Sequence, residues 1–357
     1  MKVRAMTRIA SFILMAGSIL AILSVEQNAS SDASATQTLA PVAVSSNKGE
    51  YEYVIGSALE SLQRRSIYAN SVIWTQARDR AIASSKTVSG EKEAILVMLR
   101  LLRELGDEHA FPVPKEGVEQ YLQRASTRAA ATSQDIAQRN KAIEGDISYV
   151  SIAAFASTDP ATIQKFSDDL SRQIKTADAK ATCGWIIDLR DNSGGNMWPM
   201  AAGVSQLLNA ESFGSFQSGN GAKVAWWNSE GGVGFGGQMV VSKTAELPAL
   251  VNSKKSIAVL VGPKTSSSGE AMAVAFHGRP NTLLFGDITH GLTTSTERLA
   301  FSDHFDLFIS TSRFVDRTGH VYSGPIAPDV IVAASKDGSD APLRAAIDWL
   351  HQDCKKS

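Results

Sequence analysis

From residue 146 onward, short β-rich apolar runs alternate with helix-like segments, and this alternation constrains the fold more than any other feature of the chain. "DISYVSIAAF", "CGWIIDL", "SIAVLVG" and "NTLLFGD" read as strands, while "DPATIQKFSDDLSRQIKTA", "WPMAAGVSQLLN" and "GEAMAVAFHG" read as helices. The strand runs carry little polar alternation, as expected where both faces are covered. The pattern predicts an α/β layer on a largely parallel sheet. Asp159 and Pro160 mark one helix start, as N-cap and first helical residue. "FDLFISTSRFVD" adds a longer strand, and "APLRAAIDWLHQD" a docking helix with Leu343, Ile347 and Leu350 on one face. The Gly-rich "GSFQSGNGAKVAWWNSEGGVGFGGQ" reads as a long surface loop.

Ahead of this layer, residues 49–140 read as a helical N-terminal domain. Its clearest helix is "EKEAILVMLRLLREL", where Ile95, Met98, Leu99, Leu102 and Leu105 fall at helical spacing and Gly106 follows as the C-terminal cap. Residues 145–335 then form the core layer and 336–357 the C-terminal helix. The chain starts with a basic "MKVRAMTR", an apolar run over residues 9–23 and a polar tract containing Ala33-Ser34-Ala35. That is the order of a secretory signal peptide over residues 1–35, with 36–48 as a linker. The apolar run is short for a membrane span of about 20 residues. Left uncleaved, this leader would be the membrane contact of an otherwise exported chain.

Charge excludes one class of partner. With 35 basic and 36 acidic residues and a net charge of -1, nothing favours nucleic acid. A 357-residue chain that is 43% hydrophobic can bury a sizeable core. Cys183 and Cys354 form no CxxC pair, so zinc and redox chemistry are not expected; in an oxidising compartment they are either bonded or two separate thiols. No cofactor and no metal are expected, and oligomeric state has no signature here.

Two strand-to-helix junctions carry the candidate chemistry. In "VLVGPKTSSSGEAMAVAFHGRP" (residues 259–280), three serines precede a helix. A serine there meets the free N–H groups of the helix N-terminus, a location that suits an N-cap and a nucleophile alike. In "WIIDLRDNSGGNMWPM", adjacent Gly194 and Gly195 either bring backbone N–H groups close to a ligand or simply make a tight turn. A serine nucleophile needs a base. Of the 6 histidines, His277 and His351 fall in helices, whereas His109 and His290 fall in loops, where catalytic groups are often carried.

"GWIIDLRDNSGG", "VLVGPKTSSSGEAMAVAF", "LLFGDITHGLTT" and "GPIAPDVIV" occur in the order and approximate spacing of the tail-specific (C-terminal-processing) serine proteases, whose relatives include tricorn protease and the interphotoreceptor retinoid-binding proteins. "LRELGDEHAF" resembles the N-terminal segment of the tricorn-like branch, where a histidine follows a Gly-Asp pair. The resemblance covers roughly residues 50 to 335. It implies a crotonase-like α/β core with a helical N-terminal segment against it, Ser267 as nucleophile, His109 as general base, and an oxyanion hole from the amides of Gly194, Gly195 and Ser268. Two positions depart from the family pattern. Where the tail-specific proteases carry a lysine base, this chain has Leu292, and no acid precedes "GPIAPDV" where tricorn relatives carry a glutamate. The group orienting His109 is then Glu297 or a hydroxyl or backbone acceptor. The stretch between His109 and Gly145 is also too short for the PDZ domain common in the tail-specific enzymes.

The expected function is an exported serine hydrolase, a peptidase acting on peptide or protein through an acyl-enzyme on Ser267. The alternative is a non-catalytic protein of the same fold that binds an apolar ligand or peptide. A buried ammonium without a partner costs several kcal/mol. Leu292→Lys is therefore expected not to rescue a His109→Gln variant. Recovery of serine-probe labelling by about tenfold over His109→Gln alone, at matched folded concentration, would contradict this.

Overall fold

The computed structural model describes residues 47–118, 120, 145–243, 248–300, 302–333 and 339–356. The leader at 1–35, most of the linker and the end of the N-terminal segment lie outside the described residues. Among the described residues three helices come first: α1 (Asn47–Arg65), α2 (Trp74–Ser85) and α3 (Glu91–Glu104). Gly106 follows α3 at φ +78°, the left-handed cap expected from sequence. The buried stripe of α3 is Ala94, Val97, Met98, Leu101 and Leu102, turned slightly from the predicted face so that Leu99 is only half-buried.

Five parallel strands form the predicted α/β layer in the order β12-β9-β8-β3-β2. They are β2 (Ile147–Ser151), β3 (Gly184–Asp188), β8 (Ile257–Val261), β9 (Thr282–Gly286) and β12 (Val330–Ile331). β3 and β8 are buried along their whole length, because helices cover both faces. Trp185, Ile187, Ile257, Val259 and Val261 point into the larger core, with α4 (Pro160–Ala177), α5 (Met197–Gly203) and α7 (Ser268–Phe276). Ile186, Ala258 and Leu260 point the other way, onto Ala346 and Leu350 of the C-terminal helix α8 (Ala341–Cys354). Asp159 caps α4 as expected, accepting from the Thr162 N–H at 2.8 Å.

The second sheet has 7 strands and is antiparallel. Here the Gly-rich stretch departs from expectation. Instead of a surface loop it forms β4 (Ser212–Ser218), β5 (Lys223–Asn228), β6 (Gly232–Phe235) and β7 (Gln238–Ser242), with the short helix α6 (Ser205–Leu208) before them. The physical reason is aromatic packing. Phe213, Phe216, Trp226 and Phe235 stack on one another and on Trp198 of α5. A Cβ on Gly214 would lie 2.5 Å from the Trp226 ring, so glycine serves close approach there rather than loop freedom.

The spine of this sheet is β11 (Phe305–Val315). One edge pairs with β10 (Thr294–Leu299); the other pairs with β1 (Phe111–Pro114) at Phe305–Phe308 and with β4 at Ser312–Val315. The first three helices bury their apolar faces against Leu299, Phe305, Leu307 and Ile309 of β10 and β11, so the helical segment shares its core with the second sheet.

Cys183 and Cys354 are disulfide-bonded, with Cα atoms 5.1 Å apart, which settles the two-way expectation in favour of the bridge. The bond ties α8 to the start of β3 across a sequence separation of 171 residues. Cross-links that close long loops typically stabilise by about 2–4 kcal/mol. The Cys183→Ser/Cys354→Ser double variant should unfold at correspondingly lower denaturant concentration, measured by urea titration with wild type as reference.

Candidate active site

In the parallel sheet β3, β8 and β9 are neighbours, so the segments leaving their C-terminal ends emerge side by side, where open α/β sheets place their ligands. Three segments meet there: the 189–196 turn after β3, the serine turn at 262–267 after β8 and the 287–293 loop after β9. They are stitched together. Ser266 N–H donates to Asn192 O at 3.0 Å, Thr265 Oγ1 to Leu189 O at 2.9 Å, and His290 N–H to Thr265 O at 2.9 Å.

Ser267 sits at the junction of β8 and α7, fully buried, with φ +54° and ψ −116°. A non-glycine residue held there is strained, and surrounding contacts must impose it. Those contacts are visible. The Glu270 carboxylate, one turn into α7, accepts from the Ser267 N–H at 2.9 Å. Ser267 and Glu270 stand in a capping-box arrangement, with the Ser267 side chain turned toward the Glu270 backbone, yet Ser267 Oγ is buried and in hydrogen-bond geometry with no partner among the described residues. A strained serine on a sharp strand-to-helix turn is the geometry of a nucleophile elbow. Ser266 Oγ is likewise buried and unpartnered.

Gly194 faces this serine. A Cβ there would come within 2.9 Å of Ser267 Cβ and 3.2 Å of its Oγ. Gly195 lies at φ +111°, where a Cβ would meet Phe155 O at 1.9 Å, so only glycine fits. The expected oxyanion donors separate at this point. The Gly194 N–H is committed to Asn192 Oδ1 at 3.0 Å, a local turn that removes it from the donor set. The Gly195 N–H takes no part in the bridge to Phe155, whose bonds run from Phe155 N–H to Gly194 O and from Asn196 N–H to Phe155 O. The Ser268 N–H is in the first turn of α7, among those that have no intrahelical acceptor. Ser268 Oγ donates to Gly195 O at 2.5 Å and fixes the two turns against each other.

His109 is buried and lines a cleft of ≈ 330 Å³ together with His290, Leu292 and Thr294. Ser267 is not among the cleft's lining residues, and its hydroxyl is not bonded to His109 in this structure. Glu270 joins the two parts. Besides Ser267 it accepts from Thr289 Oγ1 at 2.5 Å and from the Gly291 N–H at 2.8 Å. Leu292 is buried and supplies apolar surface to the cleft.

Glu297 does not orient His109. Its carboxylate pairs with Arg65, three residues along β10 from Thr294 and so roughly 10 Å away along the strand. The partner of His109 Nδ1 is Thr294 Oγ1 at 2.8 Å, the hydroxyl alternative. Neither Thr294 nor the bracing role of Glu270 was singled out in the sequence reading. Ser267-x-x-Glu270 does carry the spacing of a capping box; Thr294 has no local signal.

Burial and the nearby His290 lower the His109 pKa from 6.5 to about 3, against a backbone hydrogen bond with Thr294 that raises it. Burial pushes Glu270 up from 4.5 to about 7, although the bonds from Thr289, Gly291 and Ser267 pull it down. Their effects on stability have opposite signs. Between pH 3 and 6.5 the folded protein binds fewer protons at His109 than the unfolded chain, so that contribution grows as pH rises. Between pH 4.5 and 7 it binds more at Glu270, so that contribution falls as pH rises. In thermal unfolding from pH 3 to 8, His109→Gln should weaken the rise at acid pH and Glu270→Gln the decline toward neutrality.

Residues 146–332 match peptidase family S41. A nisin-resistance protein of Lactococcus lactis subsp. lactis is 25% identical over 301 residues, which cover 84% of this chain and 86% of the relative. A lipoprotein structure from Streptococcus agalactiae is 25% identical, with a TM-score of 0.64 over 88% of this chain and 99% of that one. A structure described as a putative peptidase from Parabacteroides merdae shares the fold at 18% identity, with a TM-score of 0.57 over 84% of this chain and 96% of that one. With the family match spanning the parallel sheet and every turn that forms the serine elbow and the cleft wall, the chain belongs to peptidase family S41.

Proposed function

We propose that the chain is an exported serine peptidase with a crotonase-like core, acting on peptide or protein substrates through an acyl-enzyme on Ser267. The observation that carries this reading is the backbone of Ser267, held at positive φ on a strand-to-helix turn with an unbonded hydroxyl and glycine packed against it. His109 acts as general base and acid. The buried imidazole is neutral, the form able to accept a proton, although the burial that lowers its pKa also weakens it as a base in this unliganded state. The Gly195 and Ser268 amides receive the oxyanion, aided by the N-terminal end of α7. Residues 49–140 act as a helical domain, 145–335 as the catalytic core and 336–357 as a closing helix.

Export is supported by the signal-peptide order of residues 1–35, by the disulfide, which persists in oxidising compartments, and by relatives described as a lipoprotein and a nisin-resistance protein. The missing contact between Ser267 Oγ and His109 favours a second reading, a non-catalytic binder of an apolar ligand or peptide. Such contacts are often open before substrate arrives.

Labelling with a fluorophosphonate probe separates the two. The enzyme should label at Ser267, and Ser267→Ala should abolish labelling and peptide hydrolysis while changing stability by no more than about 1 kcal/mol. A folded wild type that resists the probe, or a label mapped to Ser266 or Ser268, would overturn the assignment.

A further inference from the structure

A chain of hydroxyls runs from His109 away from the cleft and ends on a buried acid. Thr294 Oγ1 lies 2.8 Å from His109 Nδ1 and 3.1 Å from Ser310 Oγ, and Ser310 Oγ donates to Asp107 Oδ1 at 2.6 Å. All four residues are buried, Asp107 completely. We infer that Asp107 is the acid of this site, acting on His109 through Ser310 and Thr294, and that the relay fixes the imidazole with its proton on Nδ1.

Proton counting gives the direction. A hydroxyl has one proton to donate. Burial pushes the Asp107 carboxyl up, but backbone N–H groups occupy both of its oxygens, Ala110 on Oδ1 at 3.1 Å and Ser310 on Oδ2 at 3.2 Å, and with the Ser310 hydroxyl they favour the acceptor-only carboxylate. Ser310 gives its proton to Asp107, so its oxygen accepts from Thr294. Thr294 has then used its own proton, and its oxygen accepts from His109 Nδ1–H. The lone pair of the neutral ring falls on Nε2, the nitrogen that must take the proton of a serine nucleophile.

The fold explains why the acid reaches the histidine indirectly. On the edge of β11 opposite β10, pairing with β1 ends at Phe308 and pairing with β4 begins at Ser312. In that gap Ser310 bonds Asp107 through its N–H and the Ile67 N–H through its carbonyl. Asp107 plugs a break in the ladder, while the Ser310 and Thr294 hydroxyls carry its charge past the strand. Thr294, Ser310 and Asp107 are positioning residues.

The kinetic part of the inference rests on the proposed Ser267–His109 pair; the tautomer is measured without any reaction. In protein carrying 15N-labelled histidine, long-range 1H–15N correlation at neutral pH, with His109→Gln for assignment, should show His109 protonated on Nδ1. Thr294→Val, nearly isosteric, should lose that tautomer and slow fluorophosphonate labelling of Ser267 roughly 10²-fold with probe affinity little changed. Thr294→Ser should restore both. If Thr294→Val fails to fold, Ser310→Ala breaks the same relay one link further on and carries the same expectation. A wild-type ring protonated on Nε2, or a relay-broken variant that keeps the Nδ1 proton and labels at the wild-type rate, overturns the inference. Labelling that survives His109→Gln instead sinks the proposed catalytic pair, and the tautomer measurement still decides the relay.

Discussion

The site is organised by one buried carboxylate. Glu270 stands in the first turn of α7, where the free N–H groups of the helix favour negative charge, and burial works against that charge. It holds the strained Ser267 amide with one oxygen, and with the other the Thr289 hydroxyl and Gly291 amide that position the His290–Leu292 wall. The backbone conformation of the elbow and the shape of the cleft are therefore set by the same group. The bonds of Thr265, Ser266 and Ser268 to the neighbouring turns complete the bracing.

A second constraint comes from the antiparallel sheet. β11 is long enough to pair with β10 on one edge and with two separate strands on the other. The histidine arrives on the connection between the helical segment and β1, so the apolar packing of α1–α3 onto Phe305, Leu307 and Ile309 is what holds His109 against Thr294. Burial on this scale stabilises the segment and also desolvates the imidazole, which is why its pKa falls so far. Packing and electrostatics have one cause here.

Much of the parallel layer was legible in the sequence. Apolar runs such as "IIDL" and "AVLV", each followed by a glycine-containing turn and a helix, admit few arrangements other than strands buried on both faces. The same local reading placed Ser267 at a strand-to-helix junction and Gly194 and Gly195 in a tight turn, because positive φ and close backbone approach leave glycine as the residue of choice. It failed for the Gly-rich stretch. Phe213, Phe216, Trp226 and Phe235 converge only after the strands pair, and local composition cannot express that convergence.

By itself, then, the sequence determined the alternating strands and helices, a serine at a strand-to-helix junction, the tight Gly194-Gly195 turn and the capping-box spacing of Ser267 and Glu270. These properties are carried by neighbouring residues or by fixed periods of 2.0 and 3.6. Tertiary structure alone decided which partner each buried polar group found. His109 and Thr294 are separated by 185 residues, and Asp107 and Ser310 by 203. Glu297 belongs to Arg65, the Gly194 amide to Asn192, and the cysteines to each other. Such pairings follow from sheet register and from the requirement that buried polar groups be satisfied, and both come into being only when distant strands are in contact.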